Sequence, residues 1–144
     1  MSLFSASLQR AVLTRLEADS EVAALTEGHV YDALPPGELP ILYVIFGTET
    51  VRDRSDMTSF AAVHEFDLSV ITSLSGFQSA KTLASYMCTA LLTKPLSLAD
   101  GHLIALNFQG AVSKRQSTGG GRRIDLKFRA LIEQKPPLLK ENTI

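Results

Sequence analysis

The chain has 144 residues, a formal net charge of −1, 45% apolar and 20% charged residues, and a single cysteine, Cys88. The length fits one domain of roughly 100–200 residues, and the balanced charge excludes a general nucleic-acid or membrane-surface binder, which needs a basic excess. One cysteine permits no intramolecular disulfide, as suits a reducing compartment.

The opening "MSLFSASLQRAVLTRLEAD" is interrupted by Arg10 and Arg15 and has no unbroken apolar run, so it reads as neither signal peptide nor membrane span. Phe4, Leu8, Ala11, Val12 and Leu16 recur at helical steps and predict an amphipathic helix capped by Ser5 or Ser7. A second short helix follows, with Asp19 or Ser20 as cap and Gly28 as stop. The prolines and glycine of "HVYDALPPGELP" predict a loop.

Residues 41–51, "ILYVIFGTETV", read as a central strand buried on both faces at its start. "RDRSDMTSF" reads as a turn or exposed excursion. In "AVHEFDLSVIT", Phe66, Leu68 and Val70 face one way and Glu65, Asp67 and Ser69 the other, so one sheet face is wet or meets another subunit. The strongest helix is 76–94, where Phe77, Ala80, Leu83, Ala84, Met87 and Leu91 form a stripe that Pro95 terminates. A short strand, an Asp-Gly turn and a longer strand with Ile104, Leu106, Phe108 and Val112 come next. After three glycines, Ile124, Leu126, Phe128 and Ala130 alternate with Asp125, Lys127 and Arg129. This order predicts an α+β fold: a mostly antiparallel sheet, two main helices packed on one face and a long flexible β-hairpin. Residues 1–134 form the single domain, and 135–144 a flexible C-terminal tail.

Chemistry-bearing constellations are scarce. His29, His64 and His102 lack the spacing that sets two metal ligands on one face. Cys88 lies in the apolar helix and reads as a packed thiol. Glu49, Asp53 and Asp56 sit among Arg52 and Arg54, where a strand-end salt-bridge cluster explains them better than acid–base catalysis. No catalytic, metal or cofactor-binding residue is assigned, and no enzyme is expected. The stretch "KRQSTGGGRR", residues 114–123, holds four cations around a glycine triplet. A phosphate-binding loop needs a helix after its glycines, whereas strands are predicted on both sides. A hairpin tip is the expected form.

The runs "LQRAVLTRLEADSEVAAL", "GHVYDALPPGELPILYVIFGTETVRD", "HEFDLSVITSLSGFQSAKTLASYMCTALL" and "RIDLKFRALIE" together resemble the tail terminator family. These are the tail completion, or tail-to-head joining, proteins of long-tailed phages, prophages and gene transfer agents. Where family members commonly carry a tryptophan, this chain has Arg54.

The resemblance implies a structural virion protein that assembles as a hexameric ring in the bacterial cytoplasm and then occupies the head-proximal end of the tail. The implied partners are further copies of itself, the tail tube protein, the head–tail connector or stopper, and transiently the DNA passing through the ring. Neither a cofactor nor a membrane is implied. Glu49, Arg52, Asp53, Arg54 and Asp56 are candidate assembly-interface residues, in a 48–60 loop expected to order on assembly together with a 113–123 loop. Lys114, Arg115, Arg122 and Arg123 form a candidate subunit, connector or lumen-facing loop, or else a solubilising tip. Leu138 and Leu139 could dock the tail onto a neighbour. The alternative functions are a head–tail connector or stopper component and a small nucleic-acid-binding module.

Overall fold

A computed structural model describes residues 3–117 and 119–135, so the docking expectation for Leu138 and Leu139 lies outside the described residues. Three helices pack against one face of a five-stranded sheet. Helix α1, Ser5–Ala18, buries Leu8, Val12 and Leu16, three members of the stripe that the sequence predicts. Its expected cap is wrong. Phe4 occupies the N-cap without a side-chain bond, while Ser5 Oγ donates to Glu49 and Ser7 Oγ to the Phe4 carbonyl. The start of this helix is set by burying Phe4, not by capping it.

Helix α2, Ser20–Thr26, begins where the Val22 amide donates to the Asp19 carboxylate at 3.0 Å. It ends on Glu27 and Gly28, both with positive φ. Helix α3, Gln78–Leu92, buries Ala80, Leu83, Ala84, Met87, Ala90 and Leu91. None of these helices is long and apolar enough to cross a membrane.

The strands are β1 (Val30–Tyr31), β2 (Leu42–Asp53), β3 (Ala61–Thr72), β4 (Gly101–Arg115) and β5 (Arg122–Gln134), in the spatial order β1-β2-β3-β5-β4. All neighbours are antiparallel except β1 and β2. Two expectations are corrected here. The "HVYDALPPGELP" stretch is not all loop: Val30 and Tyr31 pair with Val44 and Ile45 before the prolines intervene. The short strand expected between Pro95 and Asp100 does not form; Leu96 and Leu98 instead bury their side chains from an irregular segment.

Register fixes the two faces. Phe66, Leu68 and Val70 stand opposite Phe128, Leu126 and Ile124 and are buried under the helices. Phe46, Phe66 and Phe128 stack in sequence at 5.3 and 5.6 Å between ring centroids. The other face carries Glu65, Asp67, Asp125, Lys127 and Arg129. β2 gains one residue between Phe46 and Glu49, and the bulge turns Glu49 to the helix face opposite Phe66. β4 has two further bulges, at Ile104 and Gln109.

Candidate functional site

The candidate residues divide between the two ends of the sheet. At one end, β2 and β3 are joined by residues 54–60. Glu49, Arg52 and Asp53 belong to strand β2 and not to a loop, which corrects the 48–60 boundary; only Arg54 and Asp56 lie in the turn. The β-branched residues Thr48, Thr50 and Val51 explain the strand's length, since they favour the extended chain past the apolar core.

The turn closes on its own bonds. The Arg54 amide donates to the Ala61 carbonyl at 2.7 Å, and the Asp56 carboxylate accepts the Thr58 and Ser59 amides at 2.8 and 3.0 Å. Hydrogen bonds from Ser55 hold the Asp53 carboxyl below its ordinary range, and those from Thr58 and Ser59 do the same for Asp56. The salt-bridge cluster expected here is mostly a set of turn bonds. On the solvent side Arg52 pairs with Glu65, 3.6 Å apart.

Glu49 does something else. Turned inward by the bulge, it accepts from His64 Nδ1 at 2.7 Å and from Ser5 Oγ at 3.2 Å. His64 is fully buried, and its Nε2 lacks a partner among the described residues. This pair ties β2, β3 and the start of α1 together. The sequence held its signal: His64 shares parity with Phe66, Leu68 and Val70, and so belongs to the core face.

At the opposite end, β4 and β5 meet through residues 116–121, with the Gln116 amide donating to the Gly121 carbonyl at 2.9 Å. Lys114, Arg115, Arg122 and Arg123 are strand residues, so the connecting turn itself carries no charge. Strand alternation then separates the four cations. Lys114 and Arg123 oppose each other on the open face, and Arg115 and Arg122 on the helix face.

On the open face Asp125 is the hub. It accepts from Ser69 Oγ at 2.6 Å and Arg123 Nε at 3.0 Å, with Lys114 Nζ at 3.5 Å. Burial pushes its carboxyl up, but the Ser69 and Arg123 bonds and the nearby cations outweigh that and hold it below the ordinary carboxylate range. On the helix face the Arg122 guanidinium lies 5.3 Å over the Phe77 ring and donates to the Gly120 carbonyl at 2.9 Å. The four cations therefore do not share one face of the sheet.

Nor does the hairpin stand free of the sheet. β5 pairs with β3 from Arg122 opposite Thr72 to Glu133 opposite Ala61. Gly121 packs so close that an added Cβ would sit 2.3 Å from the Thr72 carbonyl oxygen. A phosphate cradle is ruled out by the same geometry, because the glycines lead into a strand and not into a helix.

The remaining candidates do not converge. His29 Nδ1 bonds the Tyr31 hydroxyl at 2.7 Å, and His102 stands on β4. Cys88 is half-buried at the margin of the core, and burial pushes its thiol pKa up. Among the described residues no three His, Cys, Asp or Glu side chains gather to hold a metal.

A family model described as tail completion protein gp17 matches residues 10–133. The chain belongs to this family. It is accordingly a structural tail completion protein of a phage or gene transfer agent virion. It is 45% identical to a chain from the virion of a native gene transfer agent particle, with a TM-score of 0.85 over 92% of this chain and 99% of that one. The gp17 protein of bacteriophage SPP1, 18% identical, shares the fold at a TM-score of 0.52, over 90% of this chain and 95% of its own. No curated protein matches. The matched family span ends within β5, so all five strands and all three helices lie wholly or largely inside it.

Proposed function

We propose that the protein is the tail terminator of a phage-like particle: a ring subunit, in a hexamer, that caps the head-proximal end of the tail tube and stops its growth. The ring joins the tail to the connector or stopper, and DNA passes through its centre. The observation that carries this reading is the match, at 45% identity over nearly the whole of both chains, to a component of a native gene transfer agent virion. Assembly in the bacterial cytoplasm, followed by incorporation into the particle, is part of the proposal.

The disposition of the candidate residues supports a two-sided adaptor. The Arg54–Asp56 turn and the Arg115–Arg122 turn lie at opposite ends of β3, so one subunit can present them to two different partners. Asp125 offsets part of the charge of Lys114 and Arg123, which also suits a ring that lets DNA pass without gripping it, since binding strength grows with the number of phosphates neutralised.

Electron microscopy of a strain lacking the gene tests the reading. A terminator's loss leaves tails of uncontrolled length. Tails of normal length detached from heads would replace it with a connector or stopper.

A further inference from the structure

The end of the sheet that carries the Arg115–Arg122 turn holds three cations with no carboxylate beside them. Arg115 and Arg122 stand directly opposite each other on the helix face, where like charges repel and weaken a strand pair. Lys81 joins them. Its Nζ lies 5.4 Å from the centroid of the Phe77 ring, and the Arg122 guanidinium lies 5.3 Å from the same point, so the two cations are no farther apart than the sum of those distances. None of the three has an ion-pair partner among the described residues, whereas Lys114 and Arg123 on the open face share Asp125. Helix α3 begins here behind Phe77, with no side-chain cap and no acidic residue in its first turn. Its positive end adds to the same potential.

Apolar side chains border the cluster. Gly121 abuts the Thr72 carbonyl and Ser73, which lays the turn against the start of the connection between β3 and α3. The next residue, Leu74, is 47% exposed, and the Ser73 amide donates to the carbonyl of Ile41, itself 61% exposed. DNA phosphates would engage the cations and leave these side chains in water, whereas a protein segment covers both kinds of group. Arginine is also the cation suited to two-pronged pairing with a carboxylate.

We infer that this end of the subunit docks an acidic protein segment of another virion component. Its carboxylates pair with Arg115, Arg122 and Lys81, and its apolar side chains cover Leu74 and Ile41. The inference rests on the two-sided reading above and gives the chemistry of one of its two partners. Repulsion between Arg115 and Arg122 stays uncompensated in the free subunit and is relieved on docking.

The test is carbodiimide coupling on intact particles, which joins a lysine amine to a carboxylate in contact with it. Particles with the parent chain report through Lys81, and particles with Arg115→Lys through the introduced amine as well. The internal link from Lys127 to Asp67 serves as the positive control. The expected result by mass spectrometry is that both amines join aspartates or glutamates in one segment of a different virion protein. Links only to other copies of this chain, or none from either amine while the control couples, overturn the inference. Formaldehyde links from Lys81 to DNA in place of carboxylate links also overturn it and assign the cluster to DNA. As a second measurement, Arg115→Gln should not lower the unfolding midpoint of the isolated protein at low salt, yet should cut incorporation in competition with the parent at least about fivefold. Equal incorporation, or a lowered midpoint, counts against it. None of these readouts depends on tail length in the deletion strain, so failure of the docking and failure of the terminator reading are told apart.

Discussion

Gly121 and Gly119 lie two residues apart in one turn and are glycine for different reasons. Gly119 has φ 82° and nothing near its absent Cβ, so Gly119→Ala carries only the backbone penalty of about 1–2 kcal/mol. Gly121 has no unusual φ but abuts the Thr72 carbonyl, and Gly121→Ala is expected to cost about 1–3 kcal/mol and to loosen the pairing of Arg122 with Thr72. Chemical denaturation should rank Gly121→Ala at least level with Gly119→Ala. Asp125 makes a pH prediction. Its folded carboxyl titrates below the ordinary value of 3.8. The stability it contributes is therefore complete above that value and is lost as pH falls through the lower folded one. Asp125→Asn should flatten the acid limb of a stability–pH curve, and an identical limb in both proteins would refute the hub. Cys88, with its thiol pushed up by burial, should react with disulfide reagents at neutral pH more slowly than an unstructured thiol.

Strands β2, β3 and β5 are held by the aromatic stack on one side and ion pairs on the other, and the two contribute unequally. Phe66 is wholly buried between Phe46 and Phe128, so Phe66→Ala should cost about 3–5 kcal/mol. Phe108, edge-on to Phe128 but half exposed on the outer strand, should cost clearly less. Arg52 and Glu65 pair on the solvent side, where such contacts contribute about 0–1 kcal/mol. Inside, His64→Ala leaves the Glu49 carboxylate without its closest partner and opens a void, a loss of about 3 kcal/mol by thermal or urea unfolding. A neutral result there would mean that the pair does not tie α1 to the sheet.

As a molecule the protein is a sheet with a turn at each end and helices along one face, and this arrangement separates folding from assembly. Arg54 and Arg115 are exposed, at opposite ends, and neither is in an ion pair among the described residues. Arg54→Glu and Arg115→Glu should each leave unfolding midpoints within about 0.5 kcal/mol of the parent. Under the terminator proposal each should impair a different junction, one with the tube and one with the connector, as seen in particles by electron microscopy. Loss of both junctions through either variant alone would argue against a two-sided subunit.

Periodicity alone was enough to determine α1, α3 and the core faces of β3 and β5, because burial on one side imposes a 3.6 or 2.0 repeat on the residues themselves. The quoted runs likewise carried the family resemblance. Bulges and partners were not legible, since one extra residue between Phe46 and Glu49 leaves no mark on composition yet reverses which face Glu49 serves. The basic stretch around the glycine triplet shows the same limit. Four cations that look contiguous in the chain are divided between two faces by strand alternation, two of them met by Asp125 and one laid over Phe77. Strand boundaries and cross-strand register decide that, and both arise from contacts between residues far apart in sequence.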